Sequence, residues 1–147
     1  MRTLHARLGA RRRQRRGAAA IEFAFWFVAF MLILVGIIDL SYWLNIYIII
    51  QRAARDGARH GSTVIEDPPE TGIEIRDAAE DHARYVIDAA GLDCTGLCTI
   101  DSAWVDVGGR RWLNLTVAYP VESLTHLFPY PVSQVRATFS MLTQEQL

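Results

Sequence analysis

The sequence predicts an α+β chain: a long N-terminal hydrophobic helix, transmembrane and stem, followed by a small domain with one helix and a three-stranded antiparallel sheet. Three observations carry this reading. From Ile21 to Ile50 the only strongly polar side chains are Glu22, Asp39, Ser41 and Asn45. After Gly61 the composition becomes that of an ordinary soluble domain, opening with one amphipathic helical segment. The last third alternates apolar and polar residues in three runs separated by turn signals.

The first segment, residues 1–17, is basic. Arg2, Arg7, Arg11, Arg12, Arg13, Arg15 and Arg16 precede Gly17, and no acidic residue does. The formal charge of −1 hides this separation: the rest of the chain holds eight Arg against sixteen acids, a net charge of −8. An acidic body argues against a nucleic-acid partner, because phosphate binding needs clustered cations. A nucleic-acid or nuclear-targeting reading of RRRQRR is disfavoured by the hydrophobic helix that begins within six residues.

Phe23 to Ile38 and Leu40 to Leu44 supply the roughly 20 apolar residues that a bilayer core requires. Glu22 and Asp39 are 17 positions apart, about 25 Å of helix, so each is placed near one bilayer face with Tyr42 and Trp43 at the far interface. The arginine excess puts the N-terminus in the cytoplasm, so the chain beyond the apolar run is exported. A cleaved signal peptide has a shorter apolar run followed by small residues. Here Gly17-Ala18-Ala19-Ala20 comes before the run. The pattern Trp43, Ile46 or Tyr47, Ile50, Ala54, Ala58 continues one helix, predicted from about Ala20 to His60, with Gly57 and Gly61 weakening its end. Residues 18–60 are thus the transmembrane helix and stem, and residues 61–147 the exported domain.

In that domain Pro68-Pro69 forbids helix. Thr71 and Glu74 form a capping-box pattern opening a helix with inner face Ile75, Ala79, His82 or Ala83, Val86 and Ala90, closed by Gly91. Glu74, Asp77, Glu80, Asp81, Arg84 and Asp88 are its expected solvated face. Strands are predicted over Ile100–Val107, over Arg111–Tyr119 after a Gly108-Gly109 hairpin turn, and around Val135, Ala137, Phe139 and Met141, after a connection containing Leu124, Leu127 and Phe128. Cys94 and Cys98, in CTGLC, are expected to form a disulfide if the domain is exported. Free thiols, or a metal site adding His60 or His82, are the alternatives, and C-x3-C is not a common zinc spacing. The sequon Asn114-Leu115-Thr116 falls inside a predicted strand. No metal site, cofactor or catalytic constellation is expected, because the four His have no nucleophile motif beside them and no phosphate loop follows a strand.

A carboxylate inserted in hydrocarbon costs about 2.5–3.5 kcal/mol. A cut between Gly17 and Ala18 would place a new α-amino group one helical turn from Glu22 and supply its counter-charge. The stretch RRGAAAIEFA resembles the processing site of type IV prepilins. With the apolar stem, Gly36-Ile37-Ile38-Asp39 and AARDGARHGS (Ala53 to Ser62), it resembles the TadE-like (TadE/TadF) pseudopilins of the Tad/Flp tight-adherence pilus. The resemblance is specific over residues 15–62, and Asp39 stands where that family usually has Glu.

The resemblance implies that Gly17 precedes the scissile bond, that Ala18 becomes the new terminus, and that Glu22 and Phe23 mark the chain for a prepilin peptidase and for assembly. It further implies a minor pseudopilin in the bacterial inner membrane, with other pilin and pseudopilin subunits, the Tad secretion machinery and inner-membrane lipid as partners. The competing expectation is an uncleaved single-pass membrane-anchored periplasmic binding module.

Overall fold

The computed structural model describes the backbone of residues 2–64, 72–125 and 133–142, and side chains from residue 19 onward within these ranges. The helix α1 (Arg2–Thr63) is followed by α2 (Ile73–Ala89) and three strands, β1 (Thr99–Val107), β2 (Arg110–Pro120) and β3 (Gln134–Leu142). Two compact units divide the chain, Met1–Leu40 and Ser41–Leu147. The predicted α+β class is what is found. The first helix is longer than expected at both ends, because neither the arginine run nor the two glycines near His60 interrupts it.

In the first unit the helix from Phe23 to Ile38 is apolar on all sides and largely exposed. Ile21, Phe23, Phe25, Trp26, Val28 and Phe30 all face outward. A helix hydrophobic all round belongs inside a large core or a membrane, and no residue of the most apolar window here is buried.

The second unit has a single core. Its sheet is antiparallel in the order β1-β2-β3. Leu113, Leu115 and Val117 of β2, Val135 and Ala137 of β3, and Ile100 and Trp104 of β1 face inward. This follows from the period of two in the strands. Gly108 (φ 61°) and Gly109 (φ 78°) join β1 to β2 in a two-residue turn that needs positive φ at both positions. On the outer face Thr116 and Thr138, direct cross-strand partners, share a hydroxyl hydrogen bond of 3.0 Å.

Helix α2 buries Ile75, Ala79, Ala83 and Ile87. The inner face is therefore rotated slightly from the expected one: Val86 is only half-buried and Ala90 is exposed. Its N-cap is Gly72 (φ 64°), with no side-chain capping bond. Thr71, the expected first residue of the capping box, lies outside the described residues, as do Pro68, Pro69, His126, Leu127 and Phe128. A Cβ at Gly72 would meet the Trp104 indole at 2.7 Å, so the chain needs glycine there both for its left-handed backbone and for closeness to the ring. At the other end Gly91 N–H donates to Asp88 and Leu92 N–H to Ile87, the Schellman arrangement that Gly91 promised.

Gly57 and Gly61 were expected to weaken the stem, and instead they join it to α2. A Cβ on Gly57 would lie 2.6 Å from Leu115 Cδ2 and 2.7 Å from the Ala79 carbonyl oxygen. On Gly61 it would lie 2.7 Å from both Ala79 Cβ and the Ile75 carbonyl oxygen. With Ala53, Ala54 and Ala58 also buried, one face of the stem is made of small residues, against Ala79 and Ala83 of α2. The helix axes approach because nothing stands between them.

Replacement of Gly57 by Ala raises helix propensity by about 1 kcal/mol, but the clash is with backbone, which cannot rotate away. Overpacking of this kind costs about 1–3 kcal/mol, so Gly57→Ala is expected to lower the melting temperature of the full chain in detergent. Exposed Arg59→Ala should leave it unchanged.

Candidate functional site

The sequence singled out Gly17, Ala18, Glu22 and Phe23 at the head of the apolar helix. The backbone is helical through all four, so Ala18 and Glu22 are one turn apart, about 6 Å along the axis. Glu22 is exposed. Phe23, 69% exposed, stacks on Phe27 with ring centroids 5.9 Å apart. A carboxylate and an exposed aromatic pair therefore stand together at the start of an apolar surface. Asp39 is 1% exposed and engaged by a partner. An acid sheltered in this way escapes the cost of facing lipid only if it is hydrogen-bonded or neutral.

In the second unit Cys94 and Cys98 are bonded to each other, with Cα atoms 5.0 Å apart. Cys94 is buried, and its N–H donates to the Asp88 carboxylate at 3.3 Å. Asp93 accepts the Thr95 N–H at 2.8 Å, and the Thr95 backbone and hydroxyl together hold the Asp93 carboxyl below the ordinary aspartate range. The loop is thus tied to the end of α2. His60 and His82 stack on each other with centroids 4.5 Å apart. The alternative ligand set of two Cys with a His does not converge, and no group of three or more His, Cys, Asp or Glu suited to a metal occurs among the described residues.

The sequence reading missed a buried polar triad. Ser102 is 2% exposed on the inner face of β1. Its hydroxyl donates to Glu80 Oε1 and accepts from Arg76 Nε at 3.0 Å. Glu80 is accordingly half-buried and not part of the solvated face of α2 to which it was assigned. The signal was available: Ser102 sits between Ile100 and Trp104 at an inward-facing position, and a polar group there requires a partner. The triad fastens α2 to β1.

Tyr119, near the end of β2, is half-buried. Desolvation first, then the nearby Tyr42 and Asp93, push its phenol above the ordinary tyrosine value.

A single apolar helix able to cross a membrane, carrying a small disulfide-closed α+β body, defines a class of single-pass membrane protein. Residues 17–59, under a third of the chain, match the family model described as TadE-like protein. No curated protein and no solved structure matches the chain.

Ser102→Ala leaves the Arg76 and Glu80 groups without the hydroxyl between them and is expected to cost about 1–3 kcal/mol. The loss should appear as faster amide exchange in β1 than in β3. The raised phenol of Tyr119 stabilises the fold fully below the ordinary tyrosine value, and that contribution fades as pH rises past about 10. In Tyr119→Phe the alkaline decline in unfolding free energy should therefore be shallower, as read by denaturant titrations at pH 8 and above 10.

Proposed function

We propose that the chain is a minor pseudopilin, a structural and assembly component of a Tad/Flp-type pilus used for adhesion. It is held in the bacterial inner membrane by its apolar helix, with residues 1–17 cytoplasmic and the body exported. The observation that carries the reading is the TadE-like match, which begins at Gly17 and runs through Glu22 and the stem.

The physical account starts from Glu22. A prepilin peptidase cutting between Gly17 and Ala18 removes the seven arginines that hold the N-terminus at the cytoplasmic face. It also creates an ammonium one turn from the carboxylate. Paired within a chain or between neighbouring helices, the two charges neutralise each other, and the apolar helix can then pack side by side with those of other subunits. Glu22 and the exposed Phe23 form the part of the substrate that the peptidase and the assembly machinery would read. An anchored binding module would keep its leader and use Glu22 only as an interfacial acid.

Mass spectrometry of the N-terminus from native membranes decides between the two. The pseudopilin begins at Ala18; retention of Arg11 to Arg16 in cells that make working fibres would exclude it. Gly17→Arg should give undiminished amounts of a heavier precursor. Glu22→Ala should be cleaved but poorly assembled, and normal piliation in that variant would rule out charge pairing.

A further inference from the structure

A groove of about 500 Å³ lies between the stem part of α1 and the edge strand β3, within the second unit. Ile48 and Phe139 give it an apolar surface, and Gln51, Arg52, Arg55 and Arg136 line it. The Arg55 guanidinium sits 5.3 Å from the centre of the Phe139 ring, held over its face. No acid is among the residues lining it; Asp56 follows Arg55 on the stem, and β3 has none. One basic residue on an edge strand deters stray strand pairing. Three around one apolar-floored groove form a receptor for carboxylates.

The complementary surface is on the same body. Glu74, Asp77 and Asp81 are exposed on α2 and spaced i, i+3, i+7, which puts them on one stripe about 10 Å long, with Arg84 following at i+10. This stripe is opposite the buried line of Ile75, Ala79 and Ala83. Helix α2 leans on β1 through Ser102 and Trp104, whereas the groove borders β3, the other edge of the sheet. The acidic stripe and the arginine groove therefore occupy opposite flanks of the body.

We propose that the groove receives the acidic stripe of α2 from a second copy of this chain. A two-fold pairing cannot satisfy both patches when they lie on opposite flanks, because each would face its own kind or be left over. The contact is therefore head-to-tail, and such contacts propagate unless a rotation closes them. This rests on the reading of the chain as a subunit of an assembly, and gives that assembly a contact between exported bodies in addition to the packing of apolar helices.

The test uses the full chain in membranes of the producing cell, with a benzophenone amino acid replacing Gln51. Irradiation should give an adduct of twice the chain mass whose cross-linked peptide maps to α2. Reversing the groove with Arg52→Glu and Arg136→Glu should lower adduct yield about tenfold, in keeping with like-charge juxtaposition across an interface. Adding Asp77→Arg and Asp81→Arg to the same chain should restore it, which separates loss of contact from loss of fold. No adduct of twice the mass, an adduct mapping away from α2, or a yield indifferent to charge reversal would overturn the proposal. The N-terminal mass from the same sample keeps the two readings apart. A chain starting at Ala18 without the adduct overturns the groove contact alone. An adduct formed by a chain that retains its arginine leader supports the contact and overturns the pilus reading.

Discussion

The body depends on one constraint, the close approach of the stem and α2 at Gly57 and Gly61. Both glycines face carbonyl oxygens of α2 at distances that admit no side chain, so the two helices meet backbone to backbone. That contact brings Leu115 and Leu113 against the stem and lets a three-stranded sheet close over a core which α2 alone would leave half open. Dispersion contacts between small residues are individually weak, but they are numerous and cost little side-chain entropy. The stem is thereby part of the domain, in line with the compact unit beginning at Ser41 and not at the end of the helix.

Around this contact the polar interactions fix orientation. Ser102 links Arg76 and Glu80 across the α2–β1 boundary, and the Schellman turn at Gly91 leads into the disulfide loop, where Asp88 accepts from Cys94. Buried hydroxyls contribute little net stability but are expensive to leave unpaired. Their effect is to reject registers in which α2 slides along the sheet. The Trp104 indole, overlaid by Gly72 on one side and approached by the Arg111 guanidinium at 5.7 Å, adds a second fixed point at the start of α2.

Charge is distributed unevenly along the chain. Seven arginines and no acid precede Gly17, and the remainder holds eight arginines against sixteen acids. Within that remainder Arg52, Arg55 and Arg136 gather around the β3 groove, and Glu74, Asp77 and Asp81 share one stripe of α2.

The apolar run, the stem periodicity, the Gly108-Gly109 hairpin and the alternating strands were legible in the sequence because each follows from local geometry: a helix or strand repeats its pattern within a few residues. The pairing of residues distant in sequence stayed hidden. Gly57 and Gly61 read as weak points of the stem and Glu80 as a solvated acid, since their settings depend on chain far away in sequence. The sequence alone determined the elements and the membrane anchor through short-range periodicity and hydrophobicity. Only the tertiary structure decided the helix contact, the Ser102 triad and the arginine groove, because burial and charge pairing arise from neighbours that local pattern cannot name.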